Sequence, residues 1–339
     1  MDLQQKNAVG VREDISDIVI ELDAEETPAF SIIPKGERPA APVLQQPVDA
    51  PGFVSRHGVR NKTPAGGATD QSKDYALLES ENHWVRATIG VGKKDIVTAN
   101  RAGVGLGKLY AREVVKGIKA MKTAVDCITL DDSDQKSEGS EGSETRGLFS
   151  WASPTAQKCR PVPEKYRPNA GQLVTTNLDD ITPDTIASAM SERWLKTKSA
   201  GRLVAFCGDK FKRHVSNWSM YVPNATGKAV VRQFSQTASK KERVLAAIID
   251  LLEFDTGTME FHLEPNLLCD RNADENSTIP DIARRSCIAF SENAVSYHFA
   301  EDIEHEELPY DGGSKTGQIS AIFHTMARPF DLVAIKPAA

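Results

Sequence analysis

The chain has 339 residues, of which 40% are hydrophobic, 26% charged and 6% aromatic, and it carries a formal net charge of -6. That is more chain than one compact domain usually holds, with enough apolar content for a core. The acidic balance excludes a nucleic-acid binder that relies on bulk positive charge, while local basic faces stay open.

No run of about 18 apolar residues occurs, so no membrane helix is expected. The opening MDLQQKNAVGVRED has neither the basic nor the apolar region of a signal peptide, and none is expected. The five cysteines (Cys127, Cys159, Cys207, Cys269, Cys287) are scattered without a CxxC pair. That pattern predicts reduced thiols in an intracellular setting.

Residues 1–27 hold eight acids against Lys6 and Arg12, a surplus that alone matches the net charge of -6. Ile15, Ile18, Val19 and Leu22 form a short amphipathic patch that stops at Thr27-Pro28. A segment with so little core is an arm that must pack on something else. From Pro34 to about Glu79 the chain is extended, polar and marked by prolines, which are unwelcome in central strands. WVRATIGV (84–91) then alternates apolar and polar residues as a strand does. About 45 weakly cored residues returning through a strand predict a projecting loop or hairpin rather than part of a compact core.

The longest helix is predicted over 106–130. Leu106, Tyr110, Val114, Ile118, Met121, Val125 and Ile128 form one apolar stripe, with Arg112, Lys116, Lys119 and Lys122 off it. At 1.5 Å per residue it would be a rod of about 37 Å. The acidic Gly/Ser tract 131–146 has too little apolar content to fold by itself and is expected to be a mobile surface loop. Thr182, Pro183 and Asp184 mark a helix start. Ile186, Met190 and Trp194 are the expected buried stripe of that helix. RLVAFC (202–207) is a short buried strand, and Gly208-Asp209 opens a second helix with Phe211, Val215 and Trp218 as its stripe. Helix, strand and helix at this spacing predict an α/β unit. Val230–Gln236 reads as a strand. Residues 242–254 suit either helix or strand; the Asp255–Thr258 turn and alternating MEFHL (259–263) favour a hairpin. Further β-like stretches span 286–299 and 318–336.

A search for chemistry finds no active site. GVGLGK (103–108) lacks the phosphate-loop spacing, and Leu109 stands where Ser or Thr would hold magnesium. The seven histidines form no metal-ligand spacing. The acids and His305 between 301 and 307 read as a solvated acidic loop. No GxSxG elbow and no recognisable nucleophilic cysteine occur. No catalytic, cofactor-binding or metal residue is assigned.

The order of the pieces carries a resemblance. Arg12-Glu13-Asp14-Ile15-Ser16-Asp17, Thr27-Pro28-Ala29-Phe30, Glu144-Thr145-Arg146-Gly147-Leu148 and Lys315-Thr316-Gly317 resemble patches of the tailed-bacteriophage major capsid proteins with the Hong Kong 97 phage fold. The resemblance spans most of the chain through order and short patches, without a single decisive motif. The Gly/Ser tract departs from it, and counterparts for some family patches near 220–280 are missing, which leaves strand order there open.

The resemblance implies an α+β subunit with an N-terminal arm (1–27) and an extended loop (28–96). A peripheral domain (97–180) would carry the spine helix, an α/β axial domain would cover 181–300, and C-terminal strands (301–339) would return to the peripheral domain. It implies a non-enzymatic shell protein, made in the host bacterial cytoplasm, that assembles with itself into pentamers and hexamers of an icosahedral virion capsid. Implied partners are a separate scaffolding protein, since the arm is too short for a fused scaffold, a portal, decoration proteins and packaged double-stranded DNA, with no membrane and no cofactor. The row Lys108, Arg112, Lys116, Lys119 and Lys122 reads either as a solvated helix face or as a lumenal face touching DNA phosphates. Arg12, Lys35, Arg38, Arg56 and Arg60 are candidate inter-subunit contacts. The competing expectations are an intracellular enzyme with an unrecognised site and another virion component such as a tail protein.

Overall fold

The computed structural model describes residues 27–49, 76–95, 97, 109–139, 142–218, 250–269, 279–309 and 313–337, together with the backbone of four short strands between 219 and 249. These residues belong to two compact units, one holding 86–121 and 303–320, the other 26–85, 122–302 and 321–339.

Helix α1 (Pro28–Ile32) begins with proline at its first position, where a missing N–H is harmless. Strands β1 (Val43–Val48) and β2 (Ala76–Glu81) form an antiparallel ladder in register from Val43↔Glu81 to Val48↔Ala76. Strand β3 (His83–Gly92) follows. The predicted long helix is α2 (Leu109–Thr129); positions 106–108 lie outside the described residues. Met121, Val125 and Ile128 of its stripe are buried, while Tyr110, Val114 and Ile118 are half-buried.

The tract 131–146 is not the free loop that its composition predicts. Asp131, Gln135, Thr145 and Arg146 are buried, and Lys136 and Glu144 exchange two backbone hydrogen bonds of 3.0 Å each. Polar groups satisfied by ion pairs and backbone bonds do here what apolar contacts do elsewhere. The short helix α3 (Leu148–Trp151) closes it, with all four residues buried.

The larger unit is built on a six-stranded sheet. Its members are β4 (Leu173–Val174), β5 (Gly201–Cys207), β10 (Leu251–Phe254), β11 (Gly257–Leu263), β12 (Cys287–Ser291) and β15 (Val333–Ile335), in the order β10-β11-β5-β12-β15-β4. Strands β5 and β11 run parallel with Leu203 opposite Met259; β12 lies antiparallel on the other side of β5. Leu203, Ala205 and Cys207 face one core with Met259, Phe261, Phe211 and Val215. Val204 and Phe206 face the other, with Ile288, Phe290, Val125 and Trp151. Burial on both faces accounts for the unbroken apolar run of RLVAFC. Of the 242–254 stretch, Arg243–Ala246 and Leu251–Phe254 are strands, and Leu251–Phe254 (β10) forms with β11 the hairpin around Asp255 and Thr256; 242 and 247–249 lie outside the described residues. Gly257, at φ +146, is required there, because a Cβ would lie 2.5 Å from the Gly201 carbonyl oxygen.

Helix α4 (Pro183–Thr197) starts as predicted, with Thr182 and Thr185 exchanging backbone-to-hydroxyl bonds of 3.3 Å. Its buried face is Ile186, Ala189, Met190 and Arg193; Trp194 is 41% exposed. Each i+4 step drifts about 40° around a helix of 3.6 residues per turn, so two steps from Ile186 carry Trp194 off the face. Arg193 takes the inward position because Asp331 receives it. Helix α5 (Asp209–Asn217) buries Phe211 and Val215, with Trp218 packed at their edge.

Strands β6 (Tyr221–Pro223) and β7 (Ala229–Val231) form one antiparallel pair, and β8 (Ser235–Ala238) and β9 (Arg243–Ala246) another. The expected single strand 230–236 is therefore divided, its ends pairing with different partners, and 232–234 lie outside the described residues. Helix α6 (Asp281–Arg285) precedes β12. The expected acidic loop around His305 is part of a strand, β13 (Val295–Glu307), which with β14 (Ser314–Ala327) and β3 makes the three-stranded sheet β13-β14-β3. Its charged residues crowd the half where backbone pairing, not burial, holds the strand.

Candidate contact site at the root of the N-terminal segment

The Thr27-Pro28-Ala29-Phe30 patch is anchored by side chains brought from three elements. The Phe30 ring packs tilted against Tyr297, centroids 6.0 Å apart, and edge-on against Phe299 at 6.2 Å, both on β13. Lys122 of α2 stands 5.6 Å over the Phe30 ring. The Ala29 N–H donates to Glu264 Oε2 at 3.0 Å, so a buried carboxylate satisfies a first-turn amide of α1. Lys35 pairs with Asp302 at 2.9 Å and lies 4.7 Å over the Phe299 ring.

Beneath α1 lie two buried carboxyls. Asp126 is fully buried and accepts from the Tyr297 hydroxyl at 3.3 Å, while its second oxygen has no hydrogen-bond partner among the described residues. Burial first, and then the charge of Glu264, push Asp126 up to about 8. Burial pushes Glu264 up to about 7, against the hydrogen bonds from the Asn266 and Ala29 amides. Tyr297, between Asp126 and the aromatic stack, is raised well above its ordinary value by the same burial.

The β1–β2 ribbon is anchored separately. Arg160 gives Nε to Glu81 at 2.6 Å and Nη1 to Glu79 at 2.9 Å. The bond from Arg160 holds Glu79 below the usual carboxylate range, and the two carboxylates raise the arginine. Ser80 Oγ donates to the Thr325 carbonyl at 3.0 Å, and His324, lowered by burial, bonds the Ser80 carbonyl at 3.1 Å. In the smaller unit, Tyr110 Oη lies 2.9 Å from His305 Nε2, and Lys315, paired with Glu307, stands 4.4 Å over the Tyr110 ring. Gly317 of the Lys315-Thr316-Gly317 patch makes room: a Cβ there would come within 2.2 Å of the tyrosine oxygen.

Among the predicted contact residues, Lys35 is thus engaged within its own chain, and Arg38 is exposed. Arg12, Arg56 and Arg60 lie outside the described residues. Of the basic row, Lys108 also lies outside; Arg112 is half-buried, Lys116 and Lys119 are exposed, and Lys122 is half-buried. Asp126, Glu264 and Arg160 escaped the sequence reading, because each finds its partners far along the chain.

A family model described as SU10 major capsid protein matches residues 2–323. The chain belongs to that family. Solved structures agree in fold. The capsid asymmetric unit of cyanophage A-1(L) superposes with a TM-score of 0.66 at 12% identity, covering 96% of both chains. The capsid of a native GTA particle gives 0.60 at 10% identity, covering 99% of this chain and 98% of its own. A structure from Mycobacterium phage Bobi gives 0.58 at 12%, covering 97% and 96%. No curated protein matches the chain in sequence. This SU10-family protein is therefore a tailed-phage major capsid protein, a structural component of the virion, and its mixed helix-and-strand chain has the fold of phage capsid subunits.

Proposed function

We propose that copies of this capsid protein form pentamers and hexamers that close an icosahedral shell of the Hong Kong 97 type around double-stranded DNA. Residues 1–27 are the arm, 28–96 the extended loop and 97–180 the peripheral domain with α2 as its spine. Residues 181–300 are the axial domain, and 301–339 supply the returning strands. The family match over 2–323 carries this reading. Leu77 on β2, 43% exposed, is an apolar side chain that a sister copy would cover. Ordering backbone costs roughly 1–2 kcal/mol per residue, so an arm and a loop of small contacts settle best where sister copies surround them.

The subunit is made in the bacterial cytoplasm. It assembles with a separate scaffolding protein and a portal, and the finished shell accepts decoration proteins. Lys108, Arg112, Lys116 and Lys119 face the packaged DNA, and Arg12, Lys35, Arg38, Arg56 and Arg60 lie at subunit contacts. The test is electron microscopy and size-exclusion chromatography of the purified chain, with and without a co-expressed scaffold. Capsomers alone and closed shells with scaffold are expected. Uniform shells without scaffold overturn the scaffold requirement, and a compact monomer under all conditions overturns the shell reading.

A further inference from the structure

Two apolar patches of the larger unit stay outside its cores, and each carries unpaired charge. At the C-terminal end of α4, Trp194 is 41% exposed and Leu195 54%. Lys196 stands half-buried beside them, and exposed Lys198 caps the helix, its N–H donating to the Trp194 carbonyl at 2.6 Å. On β10, an end strand of the six-stranded sheet, Leu251 is 45% exposed among the exposed acids Asp250, Glu253 and Asp255. Asp250 pairs with Lys212. Lys196, Lys198, Glu253 and Asp255 form no ion pair among the described residues. The patches lie on opposite faces of one sheet. Ile186, Ala189 and Met190 of α4 share a core with Leu203, Ala205 and Met259, and Leu252 and Phe254 of β10 pack against that same core. Strand side chains alternate, so Leu251 and Glu253 point to the other face. One copy cannot bring the two patches together.

We propose that the two patches are the halves of a head-to-tail contact between copies of this chain. Trp194 and Leu195 of one copy pack on Leu251 of the next, and Lys196 and Lys198 face Glu253 and Asp255. The occupant is a second copy because each patch supplies what the other lacks: an apolar centre edged by cations meets an apolar centre edged by acids. Tryptophan suits the central place, since large aromatic side chains anchor interfaces when a partner desolvates them. An apolar side chain on an end strand invites irregular pairing, and a regular partner removes that hazard. A contact between two different patches repeats from copy to copy and closes into a ring when the rotation allows it. Pentamers and hexamers are such rings, so the proposal deepens the capsomer reading and rests on it.

The test uses the full-length protein, with and without a co-expressed scaffold. Its first arm is the double variant Leu195→Cys with Leu251→Cys, oxidised after assembly and run on a non-reducing denaturing gel. A ladder of linked copies that a reductant collapses is expected, while each single variant stays monomeric on the gel. The second arm measures the concentration at which capsomers form. Trp194→Ala should raise it about tenfold or more, the loss expected of an interface anchor. Lys198→Glu and Glu253→Lys should each raise it, and the two together should bring it back towards wild type, because every junction then carries the reversed pair. Melts of the dilute subunit should be unchanged by all these surface substitutions. Wild-type capsomers or shells with no ladder from the double-cysteine variant overturn the contact and leave the capsomer reading standing. Assembly unaltered by Trp194→Ala and by both charge reversals also overturns it, and another partner then covers α4. A wild-type monomer under every condition overturns both readings.

Discussion

Arg146 Nε donates to Asp134 Oδ1 at 2.9 Å from a side chain with no solvent exposure. Its Nη2 donates to the carbonyls of Cys159 and Arg160 at 2.6 and 3.0 Å, and the guanidinium lies 4.4 Å from the Trp151 ring centroid. Asp134 in turn accepts the amides of Lys158 and Cys159. One ion pair thus ties the polar tract 131–146 to the 158–160 segment and to α3. Arg146→Ala should cost about 3–5 kcal/mol, the usual penalty for breaking a buried pair. Arg146→Lys should recover little, since an ammonium cannot reproduce the planar fork. Urea denaturation checks both; an Arg146→Ala midpoint equal to wild type would contradict this role.

The carboxyls beneath α1 make stability depend on pH in the sense opposite to ordinary acid denaturation. Asp126 rises from 3.8 to about 8 on folding and Glu264 from 4.5 to about 7. Between those values the folded state binds more protons than the unfolded one, so stability falls as pH rises. The contribution is fully present below about pH 4 and is lost as pH passes through 7 and then 8. Unfolding free energies of the unassembled protein should therefore be lower at pH 8.5 than at pH 5.5. Asp126→Asn, which keeps the hydrogen-bonding shape without the charge, should flatten the slope. A slope unchanged in that variant would remove Asp126 from the account.

Two glycines of the larger unit should respond in opposite ways to the same substitution. A Cβ on Gly147 would lie 2.1 Å from the Asp131 carbonyl oxygen, where backbone meets backbone at the start of α3; a Cβ on Gly201 meets nothing within 4 Å. Gly147→Ala should destabilise by about 1–3 kcal/mol through overpacking. Gly201→Ala should be neutral or stabilise by up to about 1 kcal/mol, because it restricts the unfolded chain. Thermal melts of the two variants side by side check the contrast.

What the sequence makes legible is what local rules control. The stripe from Tyr110 to Ile128, the Thr182-Pro183 start and the Asp255–Thr258 turn each lie within a few residues of the signal that predicts them. The polar tract 131–146 reads as a free loop from composition because its partners come from elsewhere: the Ser137 hydroxyl donates to Glu81, and Lys336 pairs with Asp132. The inward turn of Arg193 in place of Trp194 likewise depends on Asp331, which accepts its Nε at 2.6 Å from the far end of the chain. Polar residues enter the core when a distant counter-charge waits there, and single-sequence periodicity carries no trace of it.

The basic row on α2 should divide under substitution. Lys116 and Lys119 are exposed, whereas the Lys122 ammonium stands 5.6 Å over Phe30 at the root of the N-terminal segment. An exposed cation–π contact contributes about 0.5–1 kcal/mol. Lys122→Ala should therefore lower the stability of the unassembled subunit by about that much, while Lys116→Ala should leave it unchanged. If Lys116 and Lys119 face packaged DNA, the paired substitution should lower genome retention at raised salt, since phosphate contacts released by counterions are salt-sensitive. Lys122→Ala should leave that retention close to wild type. Quantitative PCR of nuclease-protected DNA in purified particles, set beside melts of the free subunit, separates the two roles. Equal DNA loss from all three single variants would show that the row acts as one electrostatic face and that the Phe30 contact is incidental.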